Sequence, residues 1–150
     1  MFTHIFVPLD GSTLAERALP QATALAQAYD STITLFRVPE SLRLNAAELV
    51  VGFPDAADFY TSASRAALLD AETYLDLTRE QLADQERVNV LVREGSNVAE
   101  AILTQAKAVG ADLIVMSTHG YHGVKRVLLG SVAERVARHA TMPVMLISAE

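Results

Sequence analysis

Short apolar runs alternate along this chain with longer stretches of helical periodicity. The runs are rich in β-branched and aromatic residues and are bounded by turn-forming residues, a pattern typical of buried strands. They predict strands over His4–Pro8, Ser31–Val38, Val88–Val92, Leu113–Met116 and Pro143–Ile147.

A first helix is predicted between the first two strands. Thr13-Leu14-Ala15-Glu16 has the pattern of a capping box with Thr13 as the N-cap, and Ser12 is an equally good N-cap. Apolar residues then recur at helical spacing as far as Tyr29, so one face is predicted to be buried. Pro20 removes a backbone hydrogen bond within this stretch and predicts a kink near the middle of the helix.

Further helices separate the later strands. A long helix is predicted from about Ser62 to Gln85. Asn97-Val98-Ala99-Glu100 is a second capping box, and its helix is predicted to stop at Gly110. Ser131-Val132-Ala133-Glu134 is a third, and it opens a helix that runs to about His139.

The segment Pro39–Tyr60 fits this alternation least well. It is too apolar for a solvated linker, and connections longer than about 12–15 residues without their own structure are uncommon and often functional. A short helix around Ala46–Val51, ending at Gly52, is predicted within it. Two interpretations stay open, namely a lid or partner-binding segment and a flap that packs over the core.

The regular alternation of strand and helix predicts the fold class. It indicates an α/β protein with a doubly wound, five-stranded parallel sheet and helices on both faces. A length of 150 residues suits one domain with a sizeable core, so residues 1–150 are predicted to form a single domain.

Composition narrows the classes of function. The formal net charge of −6 disfavours nucleic acid or an anionic membrane as the main partner. The absence of cysteine excludes disulfides and thiol catalysis and fits a reducing compartment. No apolar run approaches the roughly 20 residues of a membrane span, and the first residues lack the basic region of a secretory signal. We therefore expect a cytoplasmic protein.

The stretch from Leu113 to Ser131 combines a strand, a glycine-containing loop and a helix start. Gly120 and Gly123 follow the fourth strand, and Gly130 immediately precedes the capping serine. The first N–H groups of a helix have no intrahelical acceptor, and the helix dipole favours an anion beside them. The stretch therefore predicts a phosphate-sized anion site.

Each of these residues also has a purely structural explanation. Gly120 and Gly123 can mark an ordinary turn, and Ser131 can serve only as an N-cap. Asp10, which follows the first strand, can be a turn residue without any ligand.

Two further pairs of residues in the loop can be interpreted either as ligand contacts or as residues without a binding role. Lys125 and Arg126 can reach a phosphate or simply form a solvated face. His119 and His122 lie three residues apart, but no further ligand with metal spacing stands near them, so no zinc site is predicted.

The spacing of this stretch identifies a family. Ser117-x2-Gly120-x9-Gly130-Ser131 resembles the Gly-x2-Gly-x9-Gly-Ser/Thr nucleotide-binding loop of the universal stress proteins, and the following helix and last strand are similar as well. One position departs from the family pattern, because its first glycine is Ser117 here. If the backbone at this position needs a positive φ, the serine weakens binding; if φ is ordinary, the hydroxyl adds a donor.

The resemblance implies a strand order of 3-2-1-4-5, with the ligand in the crevice beyond the carboxyl ends of strands one and four. It also implies that the ligand is ATP, with Mg²⁺ held mainly by phosphates and water. The positions that match the family's binding residues are Pro8, Leu9, Asp10, Val38, Met116, Ser117, His119, Gly120, Gly130, Ser131 and Val132. Asp10 and Val38 match contacts to the adenosine, and the helix start matches the phosphate contacts.

The function implied is that of an ATP-binding, cytoplasmic stress-response or regulatory module. The chain has no Walker GxxxxGK[ST] lysine, so efficient ATP turnover is not predicted, although slow hydrolysis is compatible with the sequence. The HxGH-type motif of an adenylyltransferase is also absent. The alternative is a universal-stress-type interaction protein that works through its dimer surface and binds no nucleotide.

The last strand is predicted to lie at the edge of the sheet, where an exposed apolar strand invites pairing. The resemblance implies a homodimer joined there. The residues predicted to form this contact are Val144, Met145, Leu146 and Ile147.

Overall fold

A parallel sheet forms the centre of the structure, a computed structural model that describes residues 1–39, 56–118 and 130–148. Its strands are β1 (His4–Pro8), β2 (Thr32–Arg37), β3 (Val88–Val92), β4 (Leu113–Thr118) and β5 (Val144–Ser148). They lie in the order β3-β2-β1-β4-β5, and each neighbouring pair is parallel. The predicted fold class and strand order are confirmed.

Four described α-helices cover the two faces of this sheet. They are α1 (Ala18–Tyr29), α2 (Ala56–Glu80), α3 (Val98–Ala108) and α4 (Ser131–His139). Side chains alternate along each strand, so Ile5 and Val7 pack on the α1 and α2 side while Phe6 packs on the α3 and α4 side. The sheet is therefore buried between two apolar layers, as expected of parallel strands joined by crossover helices.

The start of the first helix differs from the prediction. A 3₁₀ turn over Ala15–Arg17 precedes α1, and the Ala15 N–H donates to the Ser12 hydroxyl at 3.1 Å. The Ser12 hydroxyl thus accepts an N–H at the start of this turn, and the capping box that began at Thr13 is wrong. The predicted kink at Pro20 is also wrong, because α1 begins at Ala18 and the proline lies in its first turn, where no intrahelical donor is needed.

The second helix begins earlier and ends earlier than the predicted Ser62–Gln85. It spans Ala56–Glu80 and is followed by a 3₁₀ turn over Gln85–Arg87. The last five residues of the segment Pro39–Tyr60 are thus helical, and the Phe59 side chain is 63% exposed. The short helix predicted around Ala46–Val51 lies outside the described residues.

The third helix follows its prediction closely. The Asn97 side chain accepts a hydrogen bond from the Glu100 N–H at 3.2 Å, which makes it the N-cap of α3. Gly110 follows the helix with a φ of +73°, a conformation that glycine adopts without strain. Within the described residues, no helix combines the length and the apolar character that crossing a bilayer requires.

Candidate functional site

A cleft opens at the carboxyl edge of the sheet between β1 and β4. After β1 the chain runs to α1, on one face of the sheet. After β4 the next described element is α4, which lies on the opposite face. Opposite departures of this kind leave a crevice beyond the strand ends, the usual ligand position in open α/β sheets. The cleft has a volume of about 160 Å³.

The structure brings the predicted site residues together around this cleft. Nine of the eleven predicted residues are described, and all nine line it. They are Pro8, Leu9, Asp10, Val38, Met116, Ser117, Gly130, Ser131 and Val132. The other two, His119 and Gly120, lie outside the described residues, as do Gly123, His122, Lys125 and Arg126.

The loop after β1 forms one side of the cleft. The Leu9 N–H donates to the Phe36 carbonyl at 2.8 Å, so the strand pairing continues into the loop. Asp10 Oδ1 accepts hydrogen bonds from the Ser12 N–H at 2.8 Å and from the Ser12 hydroxyl at 2.5 Å. Asp10 is therefore a turn-forming residue, as one of its two interpretations held, and its exposed carboxylate also lines the cleft.

The start of α4 also lines the cleft. Gly130 is the N-cap and Ser131 the first helical residue, so the capping box predicted from Ser131 to Glu134 is wrong by one position. The first intrahelical bond joins the Glu134 N–H to the Gly130 carbonyl at 2.9 Å. The N–H groups of Ser131, Val132 and Ala133 precede that bond, and all three residues line the cleft. These N–H groups and the helix dipole favour an anion at this end.

The described lining of the cleft also includes an apolar wall. Val38, which matches an apolar contact to the adenine in the family pattern, and Met116, which matches the end of the fourth strand, both line the cleft. Phe36, Val98 and Ile102 line it as well and were missed from the sequence. Phe36 was detectable as a neighbour of Val38 on the same strand. No local signal in the sequence places α3 beside the ends of β1 and β4, so Val98 and Ile102 could not be detected as lining residues.

Ser117 lies within β4, which continues through Thr118 and is thus longer than the predicted Leu113–Met116. Among described non-glycine residues only Asp30 has a positive φ, so Ser117 has an ordinary extended backbone. The serine therefore introduces no left-handed strain where the family pattern has glycine. Its side chain is half-buried and reaches the cleft.

The charge of the cleft is concentrated at one point. Asp10 is the only ionisable side chain among the described lining residues. Among the described residues there is also no group of three or more His, Cys, Asp or Glu side chains arranged to hold a metal ion. The described part of the cleft thus offers an apolar wall, one carboxylate and the N–H groups of a helix start.

Comparison with known proteins agrees with this architecture. The chain matches the model of the universal stress protein family over residues 1–148. It is 33% identical over 149 residues to a universal stress protein of Thermus aquaticus, an alignment that covers 98% of this chain and 99% of the relative. The corresponding identity to universal stress protein YxiE of Bacillus subtilis is 26% over 149 residues, with the same coverage of 98% and 99%.

Solved structures share the fold over nearly their whole length. The structure of hypothetical protein MJ0577 has a TM-score of 0.77 and 25% identity, and the match covers 100% of this chain and 98% of that one. A universal stress protein in complex with cAMP has a TM-score of 0.61 and 23% identity, covering 99% of this chain and 98% of that one. The Archaeoglobus fulgidus universal stress protein in complex with dAMP has a TM-score of 0.55 and 21% identity, covering 97% of each chain.

The motif around Gly130, the strand order and the family match over residues 1–148 therefore lead to one conclusion. This chain is a member of the universal stress protein family.

Proposed function

We propose that this protein binds ATP in the cleft between β1 and β4 and acts as a cytoplasmic stress-response or regulatory module. The observation that carries the proposal is the convergence of the predicted residues. Three segments distant in sequence, at the ends of β1 and β4 and at the start of α4, contribute lining residues to a single cleft.

The chemistry of the cleft suits an adenine nucleotide. The apolar wall around Phe36, Val38 and Met116 can cover the faces of a base. The N–H groups at the start of α4 can donate hydrogen bonds to the phosphates. Asp10 comes from the loop after β1 and not from α4, and its carboxylate can hold the adenosine part. Proteins of the same fold have been solved with cAMP and with dAMP, which supports an adenine nucleotide as the ligand class.

We propose binding rather than efficient turnover. Hydrolysis needs a group that positions or deprotonates a water. The one ionisable side chain among the described lining residues is Asp10, and its Oδ1 already accepts two hydrogen bonds from Ser12. Mg²⁺ would enter with ATP, with the phosphates and water as its main ligands.

The proposal includes a homodimer through β5. This strand is at the edge of the sheet, and its residues from Val144 to Ile147 are only half-buried. An apolar edge strand presents unpaired backbone groups that a second copy can satisfy. The same edge supports the alternative function, in which the dimer surface binds partners without any nucleotide.

The test is a calorimetric titration of nucleotide-stripped protein with ATP and Mg²⁺, beside the variants Gly130→Asp and Gly130→Asn. Gly130 has a φ of −58° and is the N-cap of α4, so both replacements fit the backbone and are preferred capping residues. Aspartate places a negative charge where the phosphates are proposed to lie, whereas asparagine adds the same volume without the charge.

We expect saturable binding by the wild type and a loss of at least about tenfold in the aspartate variant relative to the asparagine variant, which corresponds to about 1.4 kcal/mol. Equal affinities of the two variants would place the phosphates elsewhere. Absence of binding by the wild type would overturn the nucleotide proposal and favour the dimeric interaction protein.

A further inference from the structure

The guanidinium of Arg37 packs directly beneath the loop that carries Asp10. Arg37 ends β2, and Gly11 lies against it with a φ of +87°. A Cβ added to Gly11 would stand 3.1 Å from Arg37 Nη2 and 3.2 Å from Arg37 Cζ, closer than most side-chain contacts. The loop therefore lies against the guanidinium, which would have to shift slightly to admit a Cβ at Gly11.

Arg37 is itself fixed by α2. Its side chain is 14% exposed, and Nη1 lies 3.6 Å from Asp70 Oδ2. Its Cζ lies 4.8 Å from the centre of the Tyr74 ring, within the range of a cation–π contact. The exposed Asp70 carboxylate contributes little, so the aromatic face and the contact with Gly11 define where the guanidinium sits.

Tyr74 reaches the other end of the same loop. Its hydroxyl donates to Glu16 Oε1 at 2.8 Å, and Glu16 lies in the 3₁₀ turn after the loop. Burial, and then the neighbouring Glu16 carboxylate, raises the pKa of Tyr74 above its ordinary, already alkaline value, so its hydroxyl stays protonated and can donate to Glu16 well beyond physiological pH. Arg37 and Tyr74 therefore contact Gly11 in the loop and Glu16 in the turn that follows it, on both sides of Ser12.

We propose that Arg37 and Tyr74 are positioning residues that hold the β1–α1 loop in the conformation that presents Asp10 to the cleft. Neither side chain lines the described cleft, so both act through the loop. This inference rests on the proposed nucleotide site and adds to it a support built from β2 and α2. It applies the general rule that a binding group is useful only when its neighbours fix its position.

The contacts are specific to arginine. A planar guanidinium can lie between an aromatic ring and a backbone segment, whereas the ammonium of lysine is a compact, strongly hydrated charge. We therefore expect Arg37→Lys to behave like Arg37→Met and not like the wild type. Tyr74→Phe keeps the ring under the guanidinium but removes the hydrogen bond to Glu16, so it should have a smaller effect.

The first measurement is the affinity for ATP in a double-mutant cycle of Arg37→Met and Asp10→Ala. We expect each single variant to lose about tenfold or more in affinity and the double variant to lose no more than Asp10→Ala alone. Arg87→Met is the matched control, because Arg87 pairs with Asp30 at the opposite end of the sheet. It should leave the affinity unchanged. Additive losses in the double variant would overturn the inference.

The second measurement needs no nucleotide. The Ser12 N–H donates to Asp10 Oδ1, so its solvent exchange, followed by NMR, reports the order of the loop. In Arg37→Met we expect faster exchange at Ser12 and unchanged exchange at the buried strand residue Val115. Unchanged exchange at Ser12 would refute the positioning role even if the wild type bound no ATP, so the two proposals fail separately.

Discussion

Ser117 of β4 pairs with Ile147 of β5 in the parallel ladder. This register makes Ser117 an ordinary strand residue that happens to border the cleft, and it explains how a serine occupies a position where the family pattern has glycine. A Cβ is compatible with the extended backbone, and in a strand it is preferable to its absence.

Replacing Ser117 with glycine should therefore lower the stability of the protein without raising its affinity for ATP. We expect Ser117→Gly to lower the free energy of unfolding by about 0.5–1 kcal/mol, because glycine loses more backbone freedom on folding. The affinity for ATP should change by less than about threefold. Urea denaturation and calorimetry measure the two quantities, and Ser117→Ala is the control that removes only the hydroxyl. A gain of tenfold or more in affinity would show that the Cβ obstructs the phosphates.

Asp112 links the beginnings of β1 and β4 and should make stability depend on pH. Its carboxylate accepts hydrogen bonds from the Thr3 N–H at 2.8 Å, the Thr3 hydroxyl at 2.7 Å and the His4 N–H at 3.0 Å. Desolvation is the largest single influence and acts to raise the pKa of Asp112, but the hydrogen bonds from Thr3 and His4 together outweigh it, and the pKa is lowered. The stabilisation is thus complete above the unfolded pKa of about 4. It is lost as the pH falls through the lower folded value.

We expect Asp112→Asn to destabilise the protein by about 1 kcal/mol at pH 7. This value is lower than that of hydrogen bonds to a buried charged group, because solvent screens the Asp112 carboxylate. The difference from the wild type should shrink as the pH falls below about 4. Urea denaturation across this range measures it, with the exposed Asp84→Asn as control. A difference that stayed constant with pH would mean that the carboxylate charge is not responsible.

The β5 edge provides the test of the homodimer. Met145 is half-buried and at the edge of the sheet, so a lysine there can extend its stem along the strand while its charge opposes close pairing of two copies. We expect the wild type to sediment as a dimer and Met145→Lys to raise the dimer dissociation constant by at least about tenfold. Leu69→Lys, at a position on α2 that is 62% exposed, should leave the mass unchanged. A wild type that is monomeric at every concentration would remove the dimer from the proposal.

Much of the fold and of the candidate site was predictable because its signals are local. Each strand is a short apolar run, and each predicted site residue that the structure describes lies at the end of β1, β2 or β4 or at the start of α4. The carboxyl ends of parallel strands share one edge of the sheet, so residues far apart in sequence meet there once the strand order is known. The order itself came from the resemblance to the family, since apolar periodicity does not specify which strands are neighbours.

The wrong predictions concern helix starts, where two local sequence preferences favour different residues. Gly130 and Ser131 are both favourable residues for an N-cap, and in the structure Gly130 is the N-cap. Pro20 looked disruptive because the helix was expected to begin before it, but a 3₁₀ turn comes first and the proline falls in the first turn of α1. Propensities at helix ends differ by too little to decide such cases without the surrounding contacts.

The sequence by itself determined the alternation of strand and helix, the apolar faces and the glycine-containing stretch that ends at Ser131, because these depend on residues a few positions apart. Only the tertiary structure decided that Ile102 lines the cleft and that Arg37 packs on the Tyr74 ring and lies against Gly11. Those contacts join residues tens of positions apart, and they form when α2 and α3 pack on opposite faces of the sheet, which no local pattern encodes.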